Sequence, residues 1–522
     1  MSRYLFLMYH AEQEDGGIVL NERITRALAR EHDVHLVTVG DHRPPAPDRT
    51  VISLTREGIR DELNEEYEGE GPFVFRMSER IKIHVRERGL EGLGLPVGAN
   101  SFDAIVGYGD MTTEAALWLK EHHYPQATVG SFLTLDPEAT LKAQGLEELG
   151  RTRSERHGEV FQRADYVIAH GNKTAEDAKR IMAKTGAGEE DRSPVFRFVP
   201  ENTLAPPPAG VRAADDPFNV LMLGRMEDPN KGALDGVMAV HSLRERGHSQ
   251  ARMTLLGAQG TDPEELHTQW TERLGADTRE FVDIRHFTSD PNEMREAIER
   301  SDVLLAASHS ESYGLAAAEY AASGRPVVIA RGNGNGFASV LEDPGFIEPE
   351  VGARLVIDDT GTRAAHKDHL MGEGRATAQA GPRHLPISAR LEEVMNDPEG
   401  FHRAAGRLRE ELGRYSSEHV ALAFEEANAY YRRGGREDTA QTPDGGVRVV
   451  PRGASQNADV EREGRAIGSA APRYDGRPSA LDLMRASGGP PTGPRTGASG
   501  QQRPPGGRGP ASRGDRGPGI GD

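Results

Sequence analysis

Short, almost wholly apolar runs alternate with amphipathic stretches along this chain, and that alternation limits its fold more than any other feature. In the first half the runs are Tyr4–Met8, Val34–Val39, Val51–Leu54, Ala104–Gly107, Ala127–Gly130, Tyr166–Ala169 and Phe196–Val199. Helical patterns such as Val19–Arg30 and Thr113–His122 lie between them. A strand apolar at successive positions must be covered on both faces, which predicts a parallel sheet flanked by helices. The Pro-rich segment TLAPPPAGVRAADDP, 203–217, breaks the pattern and reads as a linker. The alternation then restarts, with strands predicted at Asn219–Leu223, Arg252–Gly257, Phe281–Ile284, Val303–Ala306, Pro326–Ala330 and Arg354–Ile357. After Ala389 the chain turns helical, and a last helix capped by Ser416 or Ser417 carries Val420, Phe424, Ala427 and Tyr431 on one face. Such a helix can lie across both halves. The prediction is an α/β protein of two Rossmann-like, doubly wound domains facing a central cleft, where such folds bind ligands at strand carboxyl ends. The boundaries read 1–202, 218–395 and, for the terminal helices, 396–434.

Residues 435–522 are different. They hold 19 Gly and 11 Pro with Tyr474 as the only aromatic, a composition that predicts disorder. Their Arg/Gly/Pro tract can touch RNA or anionic surfaces weakly, and Leu481, Leu483 and Met484 form a short apolar cluster; a solvated tail is the plainer reading. The tail carries 13 Arg against 10 acidic residues, so the body 1–434 stands at −22 within a chain of −19. A surface that negative argues against specific nucleic-acid binding. With no Cys in 522 residues there is no disulfide framework, Cys-ligated metal or thiol nucleophile. No apolar run is long enough to span a bilayer and no Sec-type leader is visible, so a cytoplasmic location is expected.

Three loops carry residues suited to chemistry. Gly16-Gly17 follows the first strand and precedes a helix, where glycines let a phosphate approach helix N–H groups; a tight turn would read the same way. Gly224-Arg225-Met-Glu-Asp-Pro-Asn-Lys231-Gly232 follows a strand of the second half. An Arg fork and a Lys point charge there suit two adjacent phosphates. The lysine is informative, because only 8 of the 63 basic residues are Lys. The third segment is His309-Ser-Glu311-Ser-Tyr-Gly314-Leu315-Ala-Ala-Ala-Glu319, with a helix predicted to start near Gly314. Its two carboxylates, one before the helix and one just over a turn inside, can accept bonds from neutral hydroxyls at different depths of one ligand. The competing reading is an acidic first turn plus an exposed helix Glu.

These loops in this order resemble the retaining GT-B glycosyltransferases of family 4: Gly-Gly, then G-R-x(5)-K-G, then E-x(7)-E followed by A-x-G-x-P-V. Here the last part reads Glu319-Tyr-Ala-Ala-Ser-Gly324-Arg-Pro326-Val327-Val328. The resemblance covers roughly 1–434 and is strongest over 224–336. It implies a nucleoside-diphosphate sugar donor, a hydroxyl acceptor, retained anomeric configuration, and neither a cofactor nor an essential metal. It also implies that Arg225 and Lys231 hold the diphosphate, Glu311 the sugar hydroxyls and Glu319 the ribose, with phosphate contacts from Gly16, Gly17, Gly224 and the amides of Gly314 and Leu315. Arg285 and His286 fall in the segment expected to meet the base.

The chain departs from the family pattern in two places. Gly130-Ser131-Phe132 stands where many members carry a donor-contacting His, so that contact is absent or comes from elsewhere, with His10 and Asp110 as candidates. Gly332-Asn-Gly334-Asn-Gly336 lacks the usual acidic residue after its glycines. The basic stretch 76–88 reads as an amphipathic helix beside the cleft or as a peripheral contact with anionic lipid. The expected function is hexosyl transfer. An epimerase or hydrolase of the same fold, and a non-catalytic sugar-nucleotide scaffold, are the alternatives.

Overall fold

A computed structural model describes residues 1–10, 16–40, 46–55, 73–143, 146–188, 191–200, 216–288, 290–362, 381–415, 417–432 and 447–448. The linker expected at 203–217, apart from its last two residues, lies outside them, as do Ser416 and most of the tail expected at 435–522.

The first half supplies β1 (Arg3–His10), β2 (Asp33–Gly40), β3 (Thr50–Leu54), β4 (Ala104–Tyr108), β5 (Thr128–Leu133), β6 (Tyr166–His170) and β7 (Val195–Phe198). The second supplies β8 (Phe218–Leu223), β9 (Ala251–Ala258), β10 (Val282–His286), β11 (Val303–Ala306), β12 (Val327–Ala330) and β13 (Val356–Ile357), and the last described residues form β14 (Val447–Arg448). The first sheet runs β14-β7-β6-β5-β4-β1-β2-β3 and the second β10-β9-β8-β11-β12-β13. Every pairing is parallel. Tyr4 to Met8 are all buried, as a strand covered on both faces requires. In each sheet the strand order reverses beside the first strand of that half, between β1 and β4 and between β8 and β11. The crevices outside those reversal points are where loops can surround a ligand.

The helix Ser417–Arg432 returns to the first sheet and buries Val420, Phe424 and Ala427 in one cluster with Phe6, Phe196 and Phe198. Phe424 lies 5.7 Å from Phe6 between ring centroids. Tyr431, expected on this face, is exposed; the turn places Tyr430 against Phe196 instead, at 5.7 Å.

Two further expectations are corrected. Arg354 and Leu355 do not open a strand but end the helix Pro349–Leu355, leaving only Val356 and Ile357 in β13. The first helix begins at Gly16 rather than Val19. Val447 and Arg448, the described residues of the segment 435–522, pair with Phe196 and Arg197 at the edge of the first sheet.

The basic stretch 76–88 lies in the helix Phe73–Gly92, where Met77, Ile81, Val85 and also Arg80 are buried. Lys82 sits 2.6 Å from Glu79 and 3.9 Å from Glu114. Among the described residues no helix is long and apolar enough to cross a membrane.

Candidate functional site

Loops from β8, β11 and β12 converge outside the reversal point of the second sheet. β8 gives way to Gly224, whose φ of 133° suits glycine and which lies beside the Lys231 side chain. Asp228 caps the short turn Pro229–Lys231, accepting from the Asn230 N–H at 2.9 Å, and pairs with Arg225 at 3.1 Å. The Arg225 side chain is otherwise 54% exposed.

Asn230 joins this turn to the loop after β11. Its carbonyl accepts from the His309 N–H at 2.7 Å, its side-chain oxygen from the Ser310 N–H at 3.1 Å, and its amide donates to Ser310 O at 2.8 Å. The outcome is Lys231 Nζ at 2.7 Å from Glu311 Oε2, with the Ser308 hydroxyl donating to the same oxygen at 3.2 Å. Burial opposes the charge on Glu311, but Lys231, Ser308 and Lys173 outweigh it and hold the carboxyl below its ordinary range.

The glycine loop after β12 clamps the Glu311 backbone. The Glu311 N–H donates to Gly334 O at 3.0 Å and the Gly336 N–H to Glu311 O at 2.9 Å. A Cβ on Gly336 would collide with Ser312 O. Asn335 caps the helix Gly336–Leu341. This loop, which carries no acidic residue after its glycines, thus fixes the Glu311 backbone through its own peptide groups.

Gly314, at φ 85°, opens the helix Leu315–Ala322. Leu315 packs against the cores of both halves. Glu319, one turn further, pairs with Arg23 of the helix Gly16–Leu28, a contact between the two halves. Gly16 and Gly17 open that helix at the reversal point of the first sheet. Arg285 and His286 end β10, which β9 separates from β8; Arg285 is paired with Asp283 at 2.6 Å and His286 is exposed.

Two groups were not foreseen from sequence. Arg383, 2% exposed, lies beneath both motif loops. It donates to Asp359, Ala307 O and, at 3.1 Å, Ser308 O, and approaches Asp235 at 3.4 Å. His309 Nε2 lies 3.1 Å from the same Asp235, and Asp359 accepts from the Gly332 N–H at 2.7 Å. Nothing in a sequence rich in Arg distinguishes position 383.

The second group is the first half's face of the cleft. His170, at the end of β6, lies 5.8 Å from Tyr313 and 6.0 Å from Phe132 between ring centroids. Burial lowers its pKa to about 4, so the ring is neutral. Lys173 pairs with Asp177 at 2.7 Å, and its side chain runs beside Gly334.

Asp110 does not replace the missing histidine. It is 1% exposed, with Arg153 donating to both its oxygens at 2.8 and 2.9 Å and His157 at 3.5 Å. Burial raises its pKa, yet His157 and Arg153 outweigh that and hold it ionised. The side chain of His10 lies outside the described residues. Glu31, His32 and Glu425 cluster closely enough for a metal. However, His32 Nδ1 accepts from the Ser2 N–H at 3.2 Å, which puts the ring proton on Nε2, 2.7 Å from Glu425. That is a close contact between ring and carboxylate, with the other ring nitrogen already engaged by Ser2.

A model of the family described as "Family 4 Glycosyltransferase in conflict systems" matches residues 9–424. The glycogen synthase of Mycobacterium tuberculosis is 27% identical over 238 residues, 45% of this chain and 48% of that protein. The chain thus spans about half the length of the curated relatives it matches. Sucrose-phosphate synthase from Thermosynechococcus elongatus superimposes with a TM-score of 0.56 at 16% identity, over 83% of this chain and 100% of that one. HepE of Anabaena, solved with UDP and glucose, gives 0.52 at 13% identity, over 82% and 100%. At these identities the likeness is one of fold, and the fold is GT-B.

Proposed function

The chain belongs to the family 4 glycosyltransferases of conflict systems, and from that premise we propose that it transfers a hexose-type sugar, with retention, from a nucleoside diphosphate to a hydroxyl acceptor. The observation that carries this reading is the Lys231–Glu311 pair at the reversal point of the second sheet, with Arg225 on the same loop and Glu319 one helix turn away. Departure of a nucleoside diphosphate concentrates negative charge on the leaving oxygens. Lys231 and Arg225 are the cations placed to meet it, and fixed charges aimed at developing charge are the strongest catalytic device available to such a site. In this reading those two side chains supply the neutralisation, with neither a cofactor nor a metal.

With the donor bound, Lys231 turns from Glu311 to the phosphates. Glu311, kept ionised, accepts from sugar hydroxyls, and Glu319 accepts from the ribose. The Gly314 and Leu315 amides at the start of one helix, and Gly16 and Gly17 at the start of another, add N–H donors for phosphate. HepE was solved with UDP, which makes UDP-sugars the first donors to try.

The test is a titration of the whole protein with UDP-, GDP- and ADP-sugars, followed by product analysis with and without an added acceptor. Donor binding is expected, and is expected to weaken in Lys231→Ala and Glu319→Ala. Undiminished donor affinity in both variants would sink the site assignment. Product formed at full rate without any acceptor would identify a hydrolase or epimerase instead.

A further inference from the structure

Glu319 has a partner that the transfer reaction itself does not call for. Arg23 reaches it from the other half of the protein, and the Arg23 side chain is 9% exposed against 23% for Glu319. Arg23 stands seven residues after Gly16, two turns along the same face of the helix that opens at the first sheet's reversal point. Glu319 lies on the helix whose first residue, Leu315, already packs against both cores. The ion pair and the apolar contact thus stand side by side where the halves meet.

We propose that Arg23 is a positioning residue for nucleoside capture: from across the cleft it holds the Glu319 carboxylate as an acceptor for ribose hydroxyls. The inference rests on the reading of Glu319 given above. Ribose hydroxyls are neutral, so a ribose seated on Glu319 seals the carboxylate from water without supplying a counter-charge. A desolvated carboxylate lacking a counter-charge is costly, and Arg23 provides that charge from the opposite wall. The two partners need not compete. A carboxylate has about four lone-pair sites, and Arg23 addresses Oε1, which leaves acceptor capacity for a hydroxyl pair. Because one partner belongs to each half, closing the cleft and orienting the ribose acceptor become one event.

Arg23 in this role is sensitive to the ribose and indifferent to the phosphates, and the experiment uses that difference. The full chain is titrated with UDP, GDP and ADP, and then with the 2′,3′-dideoxy form of whichever binds tightest. Wild type is expected to prefer the ribonucleotide by about tenfold or more, the size of a lost charged hydrogen bond. Arg23→Gln is expected to lose that preference while holding the dideoxy form as wild type does, and Arg23→Lys to recover part of it. Equal weakening of both forms in Arg23→Gln overturns the inference, and so does a retained preference. Glu319→Ala separates the role of Glu319 from that of Arg23. If it still discriminates, the reading of Glu319 falls and the inference with it. If Glu319→Ala loses discrimination while Arg23→Gln keeps it, the inference alone fails.

Discussion

Lys231 and Glu311 hold each other at 2.7 Å, and in the proposed reaction each meets a different part of the donor. Replacing Lys231 by Ala removes charge from the leaving group, and kcat in a transfer assay is expected to fall by about 10²–10³. The pair also fixes a pH dependence. In the folded protein the Glu311 carboxyl titrates below its ordinary range, because Lys231 and Ser308 prevail over burial. Its contribution to stability is therefore complete above the unfolded value of about 4.3 and is lost as pH falls through the lower folded value. In Lys231→Met burial is left with fewer opponents, so the carboxyl pKa rises. The stability gap between wild type and variant, followed by urea unfolding, is expected to be widest near neutrality and to close toward acid. A gap independent of pH would show that the pair does not set this titration. Lys231 was legible in the sequence because lysine is rare here and sits on a strand-end glycine loop. Its neighbours were legible by spacing. Arg23 was not, since 296 positions separate it from Glu319 and nothing local marks it out among many arginines.

At the scale of elements, the strands were readable because burial on both faces leaves a run of apolar residues, as in Tyr4–Met8. The loops were readable only in part. Periodicity ends where a loop begins, and Gly334 and Gly336 hold the Glu311 backbone by hydrogen bonds that no spacing rule records. Arg383 makes the same point with more at stake. It draws the loop after β11, the start of the helix Ala233–Glu245 through Asp235, and the end of β13 through Asp359 into one enclosed cluster. Asp235, Asp359 and Arg383 are each no more than 3% exposed. Arg383→Met leaves two buried carboxylates without their guanidinium, which should cost about 3–5 kcal/mol. The check is the urea midpoint, read beside the Asp359→Asn/Arg383→Met double variant, in which less uncompensated charge remains. If the single variant melts like wild type, the cluster is not what binds these three elements together.

At the scale of the whole molecule, the sequence order and the packing order differ. The helix Ser417–Arg432 follows the second sheet in the chain, yet its apolar face completes the core of the first. Phe424 is fully buried against Phe6 and Phe198, with ring centroids at 5.7 and 6.3 Å, and Asn428 accepts from the Thr128 hydroxyl at 2.7 Å. The first half therefore has no complete core until the last helix has been made, and the two halves should lose structure together rather than in sequence. Phe424→Ala removes a ring from this site and should cost about 3–5 kcal/mol. Its signature distinguishes the arrangement from two independent bodies joined by a linker. In a single cooperative molecule the variant lowers the midpoint of both halves, followed by Trp118 fluorescence in the first and Trp270 fluorescence in the second with the other tryptophan replaced by Phe. If Trp118 reports an earlier transition while Trp270 keeps the wild-type midpoint, the helix serves the first half alone, and the contacts across the cleft, Arg23 with Glu319 and His170 with Tyr313 among them, do not couple the two transitions.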